Sequence, residues 1–414
     1  MWIYSLEITV FGSLHTQTSV SSNRAKMLWS LFLFILLGQC SFLTCQLYEY
    51  QFIADEKSWE EAQMYCRENH TDLATVFDMK DVKRLQDEGE GKGKGKGEGK
   101  GKGEGKGKGE GEGKEAWIGL FNQTSPNEWK WSLPGVEFNE TEWGSTEPND
   151  KVKPENCVRM IAHKWQDIPC DEKQRRFICY DETNTTHKFH LIKQEKKWRE
   201  AQSYCRNYHT DLVSGIKQLN DSELRSNNNL SNKSDEWIIG LFRDTWTWSD
   251  GSSFSFRHWN ESFSDSQTND KQCALIMLDN KGRWKSESCN STKSFFCYDD
   301  KIILIKEEKT WDEALDYCRE HHNDLVSITN LGEQRWVQQK AKNATTTHVW
   351  LGLRYTCALE FWFWMSDEAV NYENWASGGK EDGCDMSGAM ETGGEHKWVK
   401  LPDAEKFNFI CSKE

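Results

Sequence analysis

The stretch of this 414-residue chain best equipped for chemistry is rich in oxygen donors. Glu147-Pro148-Asn149-Asp150 is followed by Glu155, just before Cys157, and then by Trp165-Gln166-Asp167, shortly before Cys170. Carboxylates and amides grouped in this way suit a hard cation such as calcium, which takes six to eight oxygens, several of them anionic, from a loop and a neighbouring strand. No Gly-x-Ser-x-Gly, His-Glu-x-x-His or P-loop phrase occurs, so nothing comparable supports a nucleophile, a zinc hydrolase or a nucleotide. The reading is of a binding protein and not an enzyme.

The elements that must position those donors come from an internal repeat. One phrase appears three times: Trp59, Ala62, Tyr65-Cys66-Arg67, His70, Asp72-Leu73; then Trp198, Ala201, Tyr204-Cys205-Arg206, His209, Asp211-Leu212; then Trp311, Ala314, Tyr317-Cys318-Arg319, His322, Asp324-Leu325. Trp, Ala and Cys at i, i+3 and i+7 share one helical face, which predicts an amphipathic helix carrying a cysteine inward. The three histidines fall inside this phrase and read as structural. A short apolar strand follows in each copy (117–120, 238–241 and 350–353), then a strand with alternating tryptophans: Trp129 and Trp131, Trp246 and Trp248, Trp362 and Trp364. Each copy closes on Phe-x-Cys at Cys179, Cys297 and Cys411. Cys205 and Cys318 stand 113 residues apart, and Cys66 and Cys205 stand 139 apart. The difference is a 26-residue insert, 89–114, in which Gly alternates with Lys or Glu. With nothing apolar to bury and Gly at every second position, the insert reads as a disordered surface loop.

The other two copies lack the oxygen set. The segment before Cys273 runs Ser264-Asp265-Ser266-Gln267-Thr268-Asn269-Asp270-Lys271-Gln272, and its later triplet is Trp284-Lys285-Ser286. A lysine among ligands repels a cation. In the third copy Glu373-Asn374-Trp375 has no proline, the triplet is Trp398-Val399-Lys400, and Asp382 alone cannot hold the ion.

The compartment is read from the N-terminus and the cysteines. Arg24 and Lys26 precede the apolar run 28–37, a pattern expected of a signal peptide at 27–45 behind an upstream extension, 1–26. The run is short for a bilayer span, and secretion is the expected outcome, with a signal-anchored form at the plasma membrane as the alternative. Each repeat holds four of the 14 cysteines, which implies two disulfides per repeat and leaves three pairings open in each. The N-x-S/T sequons at Asn69, Asn122, Asn139, Asn184, Asn220, Asn229, Asn232, Asn260, Asn290 and Asn343 are expected glycan sites. A formal charge of −14 excludes nucleic acid as a partner.

The Trp-x-x-Ala-x-x-Tyr-Cys helix, the Trp-Ile-Gly-Leu strand and the closing Phe-Ile-Cys resemble the C-type lectin-like domain, over nearly all of residues 46–413, in an arrangement similar to fish relatives of the macrophage mannose receptor. The resemblance implies an α+β chain of three tandem domains (46–181, 186–299 and 300–413), each with two helices and short antiparallel sheets stapled by two disulfides. It implies outer bridges Cys66–Cys179, Cys205–Cys297 and Cys318–Cys411, and inner bridges Cys157–Cys170 and Cys273–Cys289. The third repeat departs from the family pattern, leaving Cys357 and Cys384 to pair with each other. Carried over residue by residue, the ligands of a sugar-bearing calcium become Glu147, Asn149, Glu155 and Asp167, with Gln166 where asparagine is expected, so that Gln166→Asn should tighten calcium. The Glu147–Pro148 bond is expected to be cis. Calcium is thus the expected cofactor, in the first domain only. Vicinal hydroxyls of mannose, N-acetylglucosamine or fucose would replace water on it, hydrogen-bonding Glu147, Asn149 and Glu155 beside Asp167. Glycans or glycoproteins are the expected partners, with no stable membrane insertion after signal cleavage. A calcium-independent protein-binding scaffold, or a soluble ectodomain form of an endocytic receptor, is the alternative reading.

Overall fold

The structure, a computed structural model, describes residues 46–93, 115–123, 128–151, 154–184, 186–260, 263, 271–366, 368–378 and 384–413. The expected signal peptide with Cys40 and Cys45, residues 94–114 of the insert, the second-repeat segment 264–270 and Asp382 lie outside the described residues.

The first repeat supplies β1 (Tyr48–Lys57), α1 (Trp59–Asn69), β2 (Asp72–Leu73), α2 (Met79–Gly93), β3 (Glu115–Asn122), β4 (Lys130–Trp131), β5 (Cys157–Ile161), β6 (Lys164–Ile168) and β7 (Arg175–Tyr180). The second supplies β8 (Phe189–Lys196), α3 (Trp198–Tyr208), β9 (Asp211–Leu212), the single turns α4 (Ile216–Leu219) and α5 (Ser222–Arg225), β10 (Trp237–Phe242), β11 (Trp246–Trp248), β12 (Gln272–Met277), β13 (Trp284–Ser288) and β14 (Lys293–Asp300). The third supplies β15 (Ile302–Lys309), α6 (Trp311–His321), α7 (Leu331–Ala341), β16 (His348–Thr356), β17 (Phe361–Trp364), β18 (Met386–Glu391), β19 (Trp398–Pro402) and β20 (Phe407–Ser412).

These strands form three sheets of one topology, and two of them draw on both of the first two repeats. One sheet runs β1-β14-β3-β12-β13 with β11 on β3, another β6-β5-β10-β7-β8 with β4 on β10, and the third β15-β20-β16-β18-β19 with β17 on β16. The first module therefore joins the N-terminal half of repeat one to the C-terminal half of repeat two, and the second module joins the remaining halves. Only the third repeat completes a module from its own residues. The disulfides follow the exchange: Cys66 pairs with Cys297 and Cys179 with Cys205, in place of the within-repeat bridges Cys66–Cys179 and Cys205–Cys297. Cys157–Cys170, Cys273–Cys289, Cys318–Cys411 and Cys357–Cys384 pair as expected. The sheets are also mixed rather than purely antiparallel, since β14 with β3, β10 with β7 and β16 with β20 run parallel.

The repeated phrase folds as its spacing predicts. Trp59, Ala62 and Cys66 are buried on α1, and so are their counterparts on α3 and α6. Ser58 and Glu61 cap α1 reciprocally, as Thr310 and Glu313 cap α6, whereas at α3 Lys197 leaves only the Glu200 half of that device. Each helix tryptophan donates its indole N–H to a strand carbonyl: Trp59 to Ile118 at 2.9 Å, Trp198 to Ile239 at 2.8 Å and Trp311 to Leu351 at 2.9 Å. The strand glycine beside each of these carbonyls has a steric cause. A Cβ on Gly119, Gly240 or Gly352 would stand 2.9, 2.9 or 2.7 Å from the carbonyl oxygen of Leu73, Val213 or Leu325. Replacing Trp198 by alanine empties a fully buried site and orphans the Ile239 carbonyl. The expected cost is about 4 kcal/mol, read as a lowered midpoint in denaturant unfolding.

Four tryptophans recur as one cluster in each module. Trp131 meets Trp165 edge to face at 5.4 Å, and Trp143 meets Trp165 at 5.8 Å and Trp129 at 5.0 Å. Trp246, Trp248, Trp259 and Trp284 repeat the cluster, as do Trp362, Trp364, Trp375 and Trp398. Aromatic pairs of this geometry pin the long loop between the second and fourth tryptophans onto the sheet. That loop carries the oxygen donors in the first repeat.

Helix α2 extends into the Gly-rich insert, whose first residues, 89–93, were expected to be disordered. Val82, Leu85 and Gly89 lie at i, i+3 and i+7 and are buried together, with Leu278 so close that a Cβ on Gly89 would meet it at 2.7 Å. Glycine is thus the residue that fits this last inward position. The first and third modules share a core around Trp336 of α7, which stacks near Tyr48, Phe77 and Phe254 and donates to Asp300 at 3.0 Å. Among the described residues no helix is long and apolar enough to cross a membrane.

Candidate functional site

Strands β5 and β6 form a hairpin whose turn residues Ala162 and His163 both have positive φ (45° and 63°), the backbone a tight two-residue turn requires. Its register sets Val158 opposite Asp167 and Arg159 opposite Gln166, and the Cys157–Cys170 bridge closes its base. Trp165 and Asp167 consequently point inward, and Gln166 lies on the other face. The loop before β5 returns over Asp167 through Glu147–Pro148, whose peptide bond is cis.

Four of the five predicted donors come together, three of them (Asn149, Glu155 and Asp167) on the backbone N–H groups of 149–151 and Glu147 on the side chain of Asn149. Both carboxylate oxygens of Asp167 accept from the Asn149 N–H, at 3.0 and 3.1 Å, and one also accepts from Asp150 N–H at 2.9 Å. The Lys151 N–H is shared by Asn149 Oδ1 at 2.9 Å and Glu155 Oε2 at 2.6 Å. Asn149 Nδ2 donates to Glu147 Oε2 at 2.5 Å. Glu155 and Asp167 are buried, whereas Asn149 is exposed. Burial, a hydrogen bond shared with Asp167 and the negative charges of Asp167 and Glu155 push Glu147 up to about 7. For Asp167 burial acts upward but is outweighed by the Glu147 hydrogen bond and the Asp150 and Asn149 N–H groups, so its carboxyl is held low. Three acids and one amide crowded together, with oxygen the only element they offer an ion, fit calcium and not a nitrogen- or sulfur-seeking metal.

Gln166 stands apart from this group. Its Oε1 accepts from Arg159 Nε at 3.1 Å and from Nη2 at 2.9 Å, and Arg159 also reaches Glu236 at 2.7 Å. Two cations that the sequence did not single out border the site. Arg159 was available to a strict reading of strand alternation. Arg243 was not: it follows β10 in the second repeat, pairs with Asp150 and lies over the ring of Trp129 at 4.7 Å. The loop that carries the donors is therefore completed by residues of another repeat.

At the corresponding places in the other modules, lysine occupies the polar groups. Lys285 lies 3.2 Å from Glu287 and 3.6 Å from Glu115. In the third module Val399 and Lys400 hold the register positions of Gln166 and Asp167. His70, His209 and His322 each cap a helix, donating their backbone N–H to the carbonyl of Cys66, Cys205 or Cys318 at 2.7 Å. Of the ten sequon asparagines, Asn69, Asn139, Asn220, Asn229, Asn232, Asn290 and Asn343 are exposed, and Asn122, Asn184 and Asn260 are half-buried.

Comparison with known proteins adds three findings. The family model for the lectin C-type domain matches residues 55–181, 194–299 and 307–413. Human C-type mannose receptor 2 is 22% identical over 389 residues, which cover 80% of this chain and 24% of the receptor. The rabbit (Oryctolagus cuniculus) secretory phospholipase A2 receptor is 25% identical over 233 residues, 48% of this chain and 15% of that one. The chain thus spans at most about a quarter of the length of these relatives. Among solved structures, human lithostathine is 25% identical and covers 27% of this chain and 82% of its own, with a TM-score of 0.26.

Proposed function

The chain belongs to the lectin C-type domain family, and on that premise we propose that it is an extracellular glycan-binding protein with one calcium-dependent sugar site, formed by Glu147, Asn149, Glu155 and Asp167. The observation that carries this reading is the convergence of Asn149, Glu155 and Asp167 on the 149–151 backbone, with Glu147 held against the Asn149 amide, behind a cis proline. Bound there, calcium supplies a Lewis-acid position for a pair of sugar hydroxyls in place of water. Glu147 and Glu155 accept the hydroxyl protons and Asn149 donates its amide, an order suited to mannose, N-acetylglucosamine and fucose. Asp167 holds the loop in place through its backbone N–H partners. Few apolar groups would touch the sugar, so one site binds weakly and several copies are needed for firm attachment. The six disulfides among the described residues suit an oxidising extracellular setting. The first and third modules, with lysines where the donors would stand, act as spacers or as protein-binding faces.

The test uses the whole chain, because the second module that holds the site needs residues of the second repeat. Calorimetric titration with mannose should give heat in millimolar calcium and none after chelation. Sugar binding that survives the chelator, or a flat titration in calcium across a glycan array's best ligands, overturns the proposal.

A further inference from the structure

We propose that Asp181, His190 and His209 form a second, separate metal site, for zinc or a similar imidazole-seeking divalent ion, where the first repeat joins the second. Their ligand atoms all lie within 4.8 Å of one another. Asp181 Oδ2 stands 3.5 Å from His209 Nδ1 and 3.9 Å from His190 Nε2, too far for good hydrogen bonds. Both nitrogens are buried and have no hydrogen-bond partner. Buried polar atoms of this kind call for an explanation, and an ion between them is one. Ligands of a tetrahedral zinc stand roughly 3.3 Å apart at its usual bond lengths, so the rings, stacked at 4.1 Å, must close and one of them turn to aim both lone pairs at the ion. Two imidazoles and a carboxylate, with a fourth position left to water, are a zinc-type set.

The surroundings are built for the same purpose. Asp181 Oδ1 accepts from the Thr183 N–H at 3.0 Å and from its hydroxyl at 2.7 Å, which leaves Oδ2 turned toward both rings. His190 is held on β8 opposite Cys179, His209 is fixed as the cap of α3, and the Cys179–Cys205 bridge ties the strand to the helix beside them. The other modules differ where it matters. In the first, His70 contacts Asp299 directly at 3.0 Å, and Gln51 holds the register position of His190. In the third, Ile303 holds that position and Lys413 follows where the acid would stand.

The experiment titrates the full chain with Co²⁺ and then Zn²⁺, in excess calcium so that the oxygen site is filled. One cobalt per chain should give the visible absorption of a tetrahedral centre, and zinc should bleach it. His190→Gln installs the residue the first module already accepts at that register, so it should fold and lose zinc affinity at least about 100-fold. Asp181→Asn should lose affinity too, whereas Asp299→Asn, which alters the corresponding acid of the first module, should not. No stoichiometric zinc in the parent chain, or affinity retained in both His190→Gln and Asp181→Asn, overturns the site.

Discussion

Cutting the chain once between residues 181 and 188 is expected to leave its two pieces covalently joined until the disulfides are reduced. The segment lies between β7 and β8, and residues 182, 183, 186 and 187 within it are exposed, so a recognition sequence for a specific protease can replace 182–187. Two bridges, Cys66–Cys297 and Cys179–Cys205, cross the cut. Had each repeat closed on itself through Cys66–Cys179 and Cys205–Cys297, no disulfide would cross it. The nicked protein should therefore run as one band in denaturing gels without reductant and as two with it. Two bands without reductant would show that the repeats close individually. The contrast is all-or-none, and mass spectrometry of the cystine peptides reads the same point directly.

Why this exchange escapes a reading of the sequence follows from the repeats themselves. Tyr-Cys-Arg surrounds Cys66 and Cys205 alike, and Phe-x-Cys ends both repeats, so either N-terminal half satisfies either C-terminal half. Apolar periodicity specifies the face of a helix or strand, and it is silent on which copy answers it. The choice rests on long-range polar contacts at the crossings. At the passage from β10 to β11, Asp244 is buried with Arg257 at 2.7 Å and has Lys130 of β4 at 3.9 Å, joining residues of both repeats. Burial works against the Asp244 carboxylate, and the charges of Arg257 and Lys130 overcome it and hold its pKa low. Removing either partner would strand a buried charge, an outcome that costs several kcal/mol. Helices α1, α3 and α6, the strand glycines and the alternating tryptophans were legible because each answers to spacing within ten or so residues. The convergence of Glu147, Asn149, Glu155 and Asp167 was legible for a related reason, since a hairpin and a neighbouring loop bring them together. Arg243 at the rim of that site was not, because it arrives from the other repeat.

Glu155→Gln is expected to lower calcium affinity about 100-fold and to remove calcium-dependent sugar binding with it, while Gln166→Ala changes calcium affinity by no more than about threefold. Glu155 is buried and shares the Lys151 N–H with Asn149 Oδ1, so its substitution keeps the size and the hydrogen-bonding oxygen and removes only the charge. Loss of a buried, paired charge costs about 3 kcal/mol, which is roughly 100-fold in an equilibrium constant. Asp167→Asn should act as strongly, because its two oxygens organise the 149–150 backbone as well as face the ion. The amide of Gln166 is taken up by two donors of Arg159 on the opposite face of the strand, and Arg159 has Glu236 as a second anchor. Truncating Gln166 therefore leaves the four converging donors in place. Isothermal titration with calcium, run on folded variants matched by their unfolding midpoints, separates the two classes. Should Gln166→Ala abolish calcium binding as fully as Glu155→Gln, the amide must leave Arg159 and enter the ligand set, and the four-donor site is wrong. Equal, small losses from all three substitutions would move the calcium elsewhere, and the sugar with it.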